Sequence, residues 1–196
     1  MRLTYTKQRG AGFAQAAAWS AGFVVLLWAI EFVDQVLGNR LDAEGVRPRD
    51  DEGLLGILFA PVLHVGWEHL ISNTLPLLIL GFLVFLSGIG RGLAATAVIW
   101  VVGGLGTWLI APAHTIHIGA SVIVFGWITY LMLRGIFARS EAQIALGAVI
   151  LVFYGGALLG VLPGQTGVSW QGHLFGAIGG GLAAWWLAPS RRPEFV

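Results

Sequence analysis

The chain has 196 residues, of which 57% are hydrophobic and only 11% charged, and its mean hydropathy is +0.80. Soluble domains carry about a quarter charged residues, so this composition excludes an ordinary soluble globule and predicts an all-α membrane protein that crosses the bilayer several times. The net charge of +1 argues against a nucleic-acid partner, and the absence of cysteine removes disulfides, thiolate nucleophiles and cysteine-ligated metals.

A span needs about 20 apolar residues, so six spans would use most of the chain. The expectation is one membrane domain, 1–196, with short loops. The first span covers about 11–37 and ends in the acidic pair Glu31 and Asp34. Its apolar run is too long for a signal-peptide core and has no clear cleavage site, so it reads as a retained helix. Gly38–Glu52 is a charge-rich loop holding Pro48 and Asp50-Asp51-Glu52. Gly53–Leu63 is apolar but too short to cross, and Pro61 breaks it. The remaining spans are about 67–87, 92–111, 118–133, 141–161 and 170–188. Pro76 predicts a kink in the second. Trp28, Trp67, Trp108 and Trp170 at one set of ends, and Trp185 and Trp186 at the other, have the placement of interfacial anchors.

Sidedness follows from the basic residues. Arg2, Lys7, Arg9, Arg91, Arg134, Arg139, Arg191 and Arg192 fall on the side of the termini. Arg40, Arg47 and Arg49 fall on the other, among acidic residues. The positive-inside rule then predicts both termini in the cytoplasm of a cell-membrane protein, with the 38–66, 112–117 and 162–169 loops outside. In that arrangement spans two, four and six all begin at the outer face.

Those three beginnings hold the polar residues that could do chemistry. Ser121 follows Gly119-Ala120 at the start of span four. Small residues there admit close backbone approach, and a helix N-terminus offers free N–H groups and a positive dipole end to a developing oxyanion. A serine in an apolar helix also commonly serves packing. His173 opens span six and is the available base, able to take a proton from Ser121 and return it to a leaving amine. His173, Gly176 and Gly180 share one helix face, so that face can press against a neighbour, span four by expectation. No acid lies in spans four to six except Glu141 at the far end of span five, which leaves a Ser-His dyad rather than a triad. His69 and Asn73 stand one helical turn apart and can donate hydrogen bonds without carrying charge, as an oxyanion site requires. His64 is expected to fix the loop before span two. His114 and His117 form H-x-x-H, but without thiolate or carboxylate ligands nearby the pattern predicts no metal. No cofactor is implied.

Taken together, His69-x-x-x-Asn73, Gly119-Ala120-Ser121 and His173-x-x-Gly176-x-x-x-Gly180 resemble the rhomboid intramembrane serine proteases over essentially the whole chain. The resemblance implies a six-helix rhomboid-like bundle in which Ser121 is the nucleophile and His173 the general base. His69, Asn73 and the Ser121 backbone N–H would hold the oxyanion, in a cavity capped by Leu162–Ser169 and bordered by span five. It implies transmembrane proteins as substrates. The chain departs from the family pattern at two positions of the site, and it lacks the Trp-Arg pair common in the first outer loop, near Leu55-Gly56. Val122 stands where Gly usually follows the serine, which predicts a narrower space beside the nucleophile. Phe125 stands where Tyr is frequent, keeping a ring to stack on the histidine. The rival readings are a non-proteolytic relative that binds transmembrane clients, and a small transporter, which would place broken helices at matching points of two halves.

Overall fold

The computed structural model describes residues 2–165 and 167–188, with side chains from Gly12 onward. The tail 189–196, including Arg191 and Arg192, and the side chains of Arg2, Lys7 and Arg9 lie outside the described part. Helix α1 spans Arg2–Val36. Short 3-10 turns at Leu41–Glu44 and Glu52–Leu54 lead to α2, Gly56–Phe59, and a further turn at Ala60–Val62. Then come α3 (Gly66–Leu86), α4 (Ile89–Ile110), α5 (Ser121–Ala138) and α6 (Glu141–Tyr154). The chain tightens to a 3-10 segment over Gly155–Val161 and ends in α7, Trp170–Trp186.

Five helices among the described residues are long and apolar enough to cross a bilayer: α1 from Gly12, α3, α4, α5, and α6 with its 3-10 extension. The sixth expected span is α7, 17 residues long. The Gly53–Leu63 stretch forms a chain of short turns that does not cross. Ile57 and Ala60 bury themselves there beside α4, and the Trp100 indole N–H donates to the Ile57 carbonyl at 2.7 Å. Pro76 sits inside an uninterrupted α3.

Packing centres on α5, whose Ile123, Trp127, Ile128, Tyr130 and Leu131 are almost fully buried. Helix α7 lies along it at backbone distance. A Cβ added at Gly176 would overlap the Val122 carbonyl, and one at Gly180 the Gly126 carbonyl, so only glycine permits this approach. In lipid the helices gain little from apolar burial as such, and close van der Waals contact between small residues does the holding. On the far side, α1 is tied to α3 by polar contacts. Ser20 donates to the Leu78 carbonyl at 2.8 Å, and the Trp28 indole to Thr74 Oγ1 at 3.0 Å. Helix α6 is attached differently: Gly147 and Ile150 are its only buried residues, while Val152 and Phe153 stand open.

Candidate active site

The loops around the starts of α3, α5 and α7 are stitched into one layer. Val46 and His117 exchange both backbone hydrogen bonds at 3.0 Å, and the Gly119 N–H donates to the Ala60 carbonyl at 2.8 Å. His64, almost fully buried, accepts the Ala120 N–H on Nε2 at 3.3 Å. Burial, with His69 nearby, pushes its pKa down to about 3, so it remains a neutral acceptor. The expected role of His64, holding the loop, is the one it performs, and the residue it holds is the neighbour of Ser121.

Ser121 is the first residue of α5. The turn into it needs Gly119 at φ +125°, and a Cβ there would stand 2.5 Å from His69 Cε1. The Ser121 N–H makes no hydrogen bond among the described residues, as the first turn of a helix allows. Ser121 Oγ lies 2.9 Å from His173 Nε2. On the other side of the imidazole, Nδ1 lies 3.0 Å from the Gly160 carbonyl. A carbonyl can only accept, so Nδ1 carries the proton and Nε2 is the free base facing the serine hydroxyl. Phe125 stacks on the same ring, with centroids 3.9 Å apart and planes 9° from parallel. The imidazole is thus fixed by a serine, a carbonyl and a phenyl face.

The start of α7 is anchored by a second histidine. Thr115 Oγ1 donates to the Pro112 carbonyl, and can then accept from His117 Nε2–H at 2.8 Å. His117 Nδ1 is left to accept from Ser169 Oγ at 2.7 Å, and Ser169 in turn caps α7 by accepting the Gly172 N–H. Burial pushes the His117 pKa down, in keeping with this neutral role. Both ring nitrogens are occupied, so His117 serves the α7 cap rather than a pair with His114.

His69 and Asn73 reach the same layer, and no hydrogen bond among the described residues joins either to Ser121. The Asn73 amide, buried, donates back to the His69 carbonyl at 2.9 Å, and the two rings of His64 and His69 meet edge to face at 5.1 Å. Val122 does more than line the cleft. Its Cγ2 fills the space that a side chain at Gly103 of α4 would need, and its carbonyl faces Gly176 of α7. Ser121, Val122, Gly119, Thr107, Ser169 and Gly172 are among the residues around one cleft. Sequence reasoning missed Gly160 and Ser169. The Ser169-x-x-Gly172 spacing before an apolar run is a readable capping signal, whereas nothing in Gly155–Val161 marks one carbonyl out.

Comparison with known proteins identifies the family of the chain. The model of the rhomboid domain matches residues 51–190. Uncharacterised proteins of Mycobacterium tuberculosis and Mycobacterium leprae are 52% and 48% identical over 179 residues, 87% of this chain and 75% and 71% of theirs. A Bacillus subtilis protein named "Putative rhomboid protease YdcA" is 26% identical over 140 residues, 70% of each chain. No solved structure matches. The chain belongs to the rhomboid family of intramembrane proteases, and it is a multi-pass membrane protein with the all-α fold of that family.

Proposed function

We propose that this protein is a serine endopeptidase that cuts transmembrane proteins in or near their membrane-spanning segments, using Ser121 and His173 as a dyad. The observation that carries the reading is the 2.9 Å contact between Ser121 Oγ and His173 Nε2, with Nδ1 bound to Gly160 and the ring face covered by Phe125. Ser121 attacks the scissile carbonyl while Nε2 takes its proton. The imidazolium keeps its Nδ1–H on the Gly160 carbonyl, which partly offsets the cost of charging a ring in an apolar site. The free Ser121 N–H, with His69 and Asn73, stabilises the oxyanion. For Asn73 this uses the amide hydrogen not engaged by the His69 carbonyl. Collapse breaks the C–N bond, and the proton on Nε2 passes to the leaving amine. Water, deprotonated by the same nitrogen, then releases the acyl group and restores Ser121.

A substrate helix hides its carbonyls in internal hydrogen bonds. The preferred substrates therefore carry Gly, Pro or other helix-weakening residues near the cut, with a small residue just before it. They reach the cleft past α6, beneath the loop Leu162–Ser169, and the whole of 1–196 acts as one domain. Both termini face the cytoplasm and the dyad opens to the outer side. Single cysteines introduced at Asp51 and Arg139 test that orientation, since the chain has none of its own. The outer one alone should react with an impermeant maleimide in intact cells.

The test of activity is cleavage of a single-span protein in liposomes by the native chain, Ser121→Ala and His173→Ala. The native chain should cut and both variants should be silent. Equal cutting by all three would remove Ser121 and His173 from the chemistry. Failure of a fluorophosphonate to label Ser121, together with no cleavage, would favour a client-binding protein instead.

A further inference from the structure

At the opposite end of the bundle lies a second polar cleft that the proteolytic site does not use. Arg134 sits 13 residues along α5 from Ser121, roughly 20 Å at 1.5 Å per residue. Two of its guanidinium atoms, Nε and Nη1, are buried and have no hydrogen-bond partner among the described residues. Its Cζ lies 5.7 Å above the ring of Tyr130, itself almost fully buried. Arg91, in the first turn of α4, lines the same cleft, with Gln143 of α6 and an apolar lip from Ala184 and Leu187. The salt bridges among the described residues involve neither arginine. Helix α4 begins here with no side-chain cap and no acid in its first turn. Two cations thus share a cleft beside the positive end of a helix dipole, an arrangement that repels itself unless an anion joins it.

We propose that this cleft binds a phosphate ester, held in a fork by Arg134 and neutralised from the rim by Arg91. A guanidinium offers parallel N–H groups that match two phosphate oxygens, and the tetrahedral anion would also meet the start of α4. The apolar lip suits the glycerol and upper acyl carbons of an anionic phospholipid better than free phosphate. With α5 about 27 Å long, an arginine one turn from its end lies at headgroup depth. The site is independent of the proteolytic reading.

The test uses the full chain in a neutral detergent with three probes: short-chain phosphatidylglycerol, short-chain phosphatidylcholine and inorganic phosphate. Phosphatidylglycerol at ten times its Kd should raise the Tm by roughly 3–5 °C. Phosphatidylcholine should not. Inorganic phosphate matching the lipid would assign the site to the free ion. Arg134→Gln should abolish the shift, and Arg91→Gln, at an exposed residue, should weaken binding about tenfold. Arg139→Asn changes a charge at the same end but outside the cleft and should leave the shift intact. An equal loss in Arg139→Asn, an unchanged shift in both Arg134→Gln and Arg91→Gln, or no shift with any probe would overturn the proposal.

Discussion

The packing of Val122 into the space left by Gly103 makes a prediction whose sign depends on background. In the native chain, Gly103→Ala drives a methyl into Val122 Cγ2, while its next neighbours, Gly176 N and Cα, remain at an ordinary 3.6 Å. Overpacking of this kind costs about 1–3 kcal/mol, against which alanine gains up to about 1 kcal/mol of helix propensity over glycine. The net expectation is a loss of about 1–2 kcal/mol, or a fall in Tm of roughly 2–8 °C for a chain of this size. Val122→Ala removes both γ methyls and, alone, costs about 1–2 kcal/mol in lost contacts. In that background Gly103→Ala loses its clash with Val122 Cγ2, keeps only the ordinary contacts with Gly176, and should become neutral or stabilising. The coupling energy should be about 1–3 kcal/mol. Gly180→Ala is the control, because its new methyl strikes the Gly126 backbone, which no side-chain change removes. It should destabilise equally in both backgrounds. Thermal unfolding in one detergent, with retention of helical circular dichroism as the readout, gives all four corners of the cycle. If Gly103→Ala has the same effect with and without Val122, the two do not share one space and the reasoning fails.

Three further outcomes follow from the geometry. His64 has a folded pKa of about 3 against an unfolded value near 6.5, so the unfolded chain gains a proton first as pH falls. Stability present above pH 6.5 should decline by about 2 kcal/mol at pH 5, and His64→Asn, which cannot titrate, should flatten that slope in pH-dependent melts. Asp42 is the opposite case: burial and the neighbouring Asp34 and Glu31 raise its pKa to about 6. Its carboxylate therefore favours folding when protonated and loses that contribution as pH rises through 6. Asp42→Asn should raise the Tm at pH 7.5 but not at pH 3, below the ordinary carboxylate value of 3.8, by less than about 1 kcal/mol because the group is partly open to water. Phe125→Leu should lower kcat by roughly 3- to 10-fold, the value of a stacked ring at 0.5–1.5 kcal/mol, whereas Phe125→Tyr keeps the ring and should stay within twofold.

The parts legible in the sequence were those that chemistry writes into side chains at fixed spacing. Hydropathy marked the helices because lipid demands continuous apolar runs, and the boundaries of α3 and α7 fell within two residues of expectation. Ser121 and His173 could be singled out because each is a polar residue opening an apolar span on the same side of the membrane, whereas Phe125 was legible through the family resemblance. Helix α5 begins three residues later and ends five residues later than its apolar run, since Gly119 turns the chain before Ser121 and Arg134 is tolerated inside the helix. The carbonyl of Gly160 was not legible, because every residue has one and only the 3-10 winding of Gly155–Val161 selects it. Nor was the partnership of Val122 with Gly103. A valine after the serine reads as an obstruction until the register of α4 against α5 shows a glycine opposite it.

The attachment of His173 to Gly160 gives the candidate site a sense of timing. That carbonyl belongs to the continuation of α6, a helix that buries little besides Gly147 and Ile150. A movement of α6 that took the Gly155–Val161 segment with it would withdraw the carbonyl that fixes the imidazole. A polypeptide admitted by parting these helices would meet a disarmed base, which rearms only when the wall closes behind it. Admission and bond breaking would then be successive states of one latch, and a helix that merely brushes past in the membrane would find the door open and the blade withdrawn.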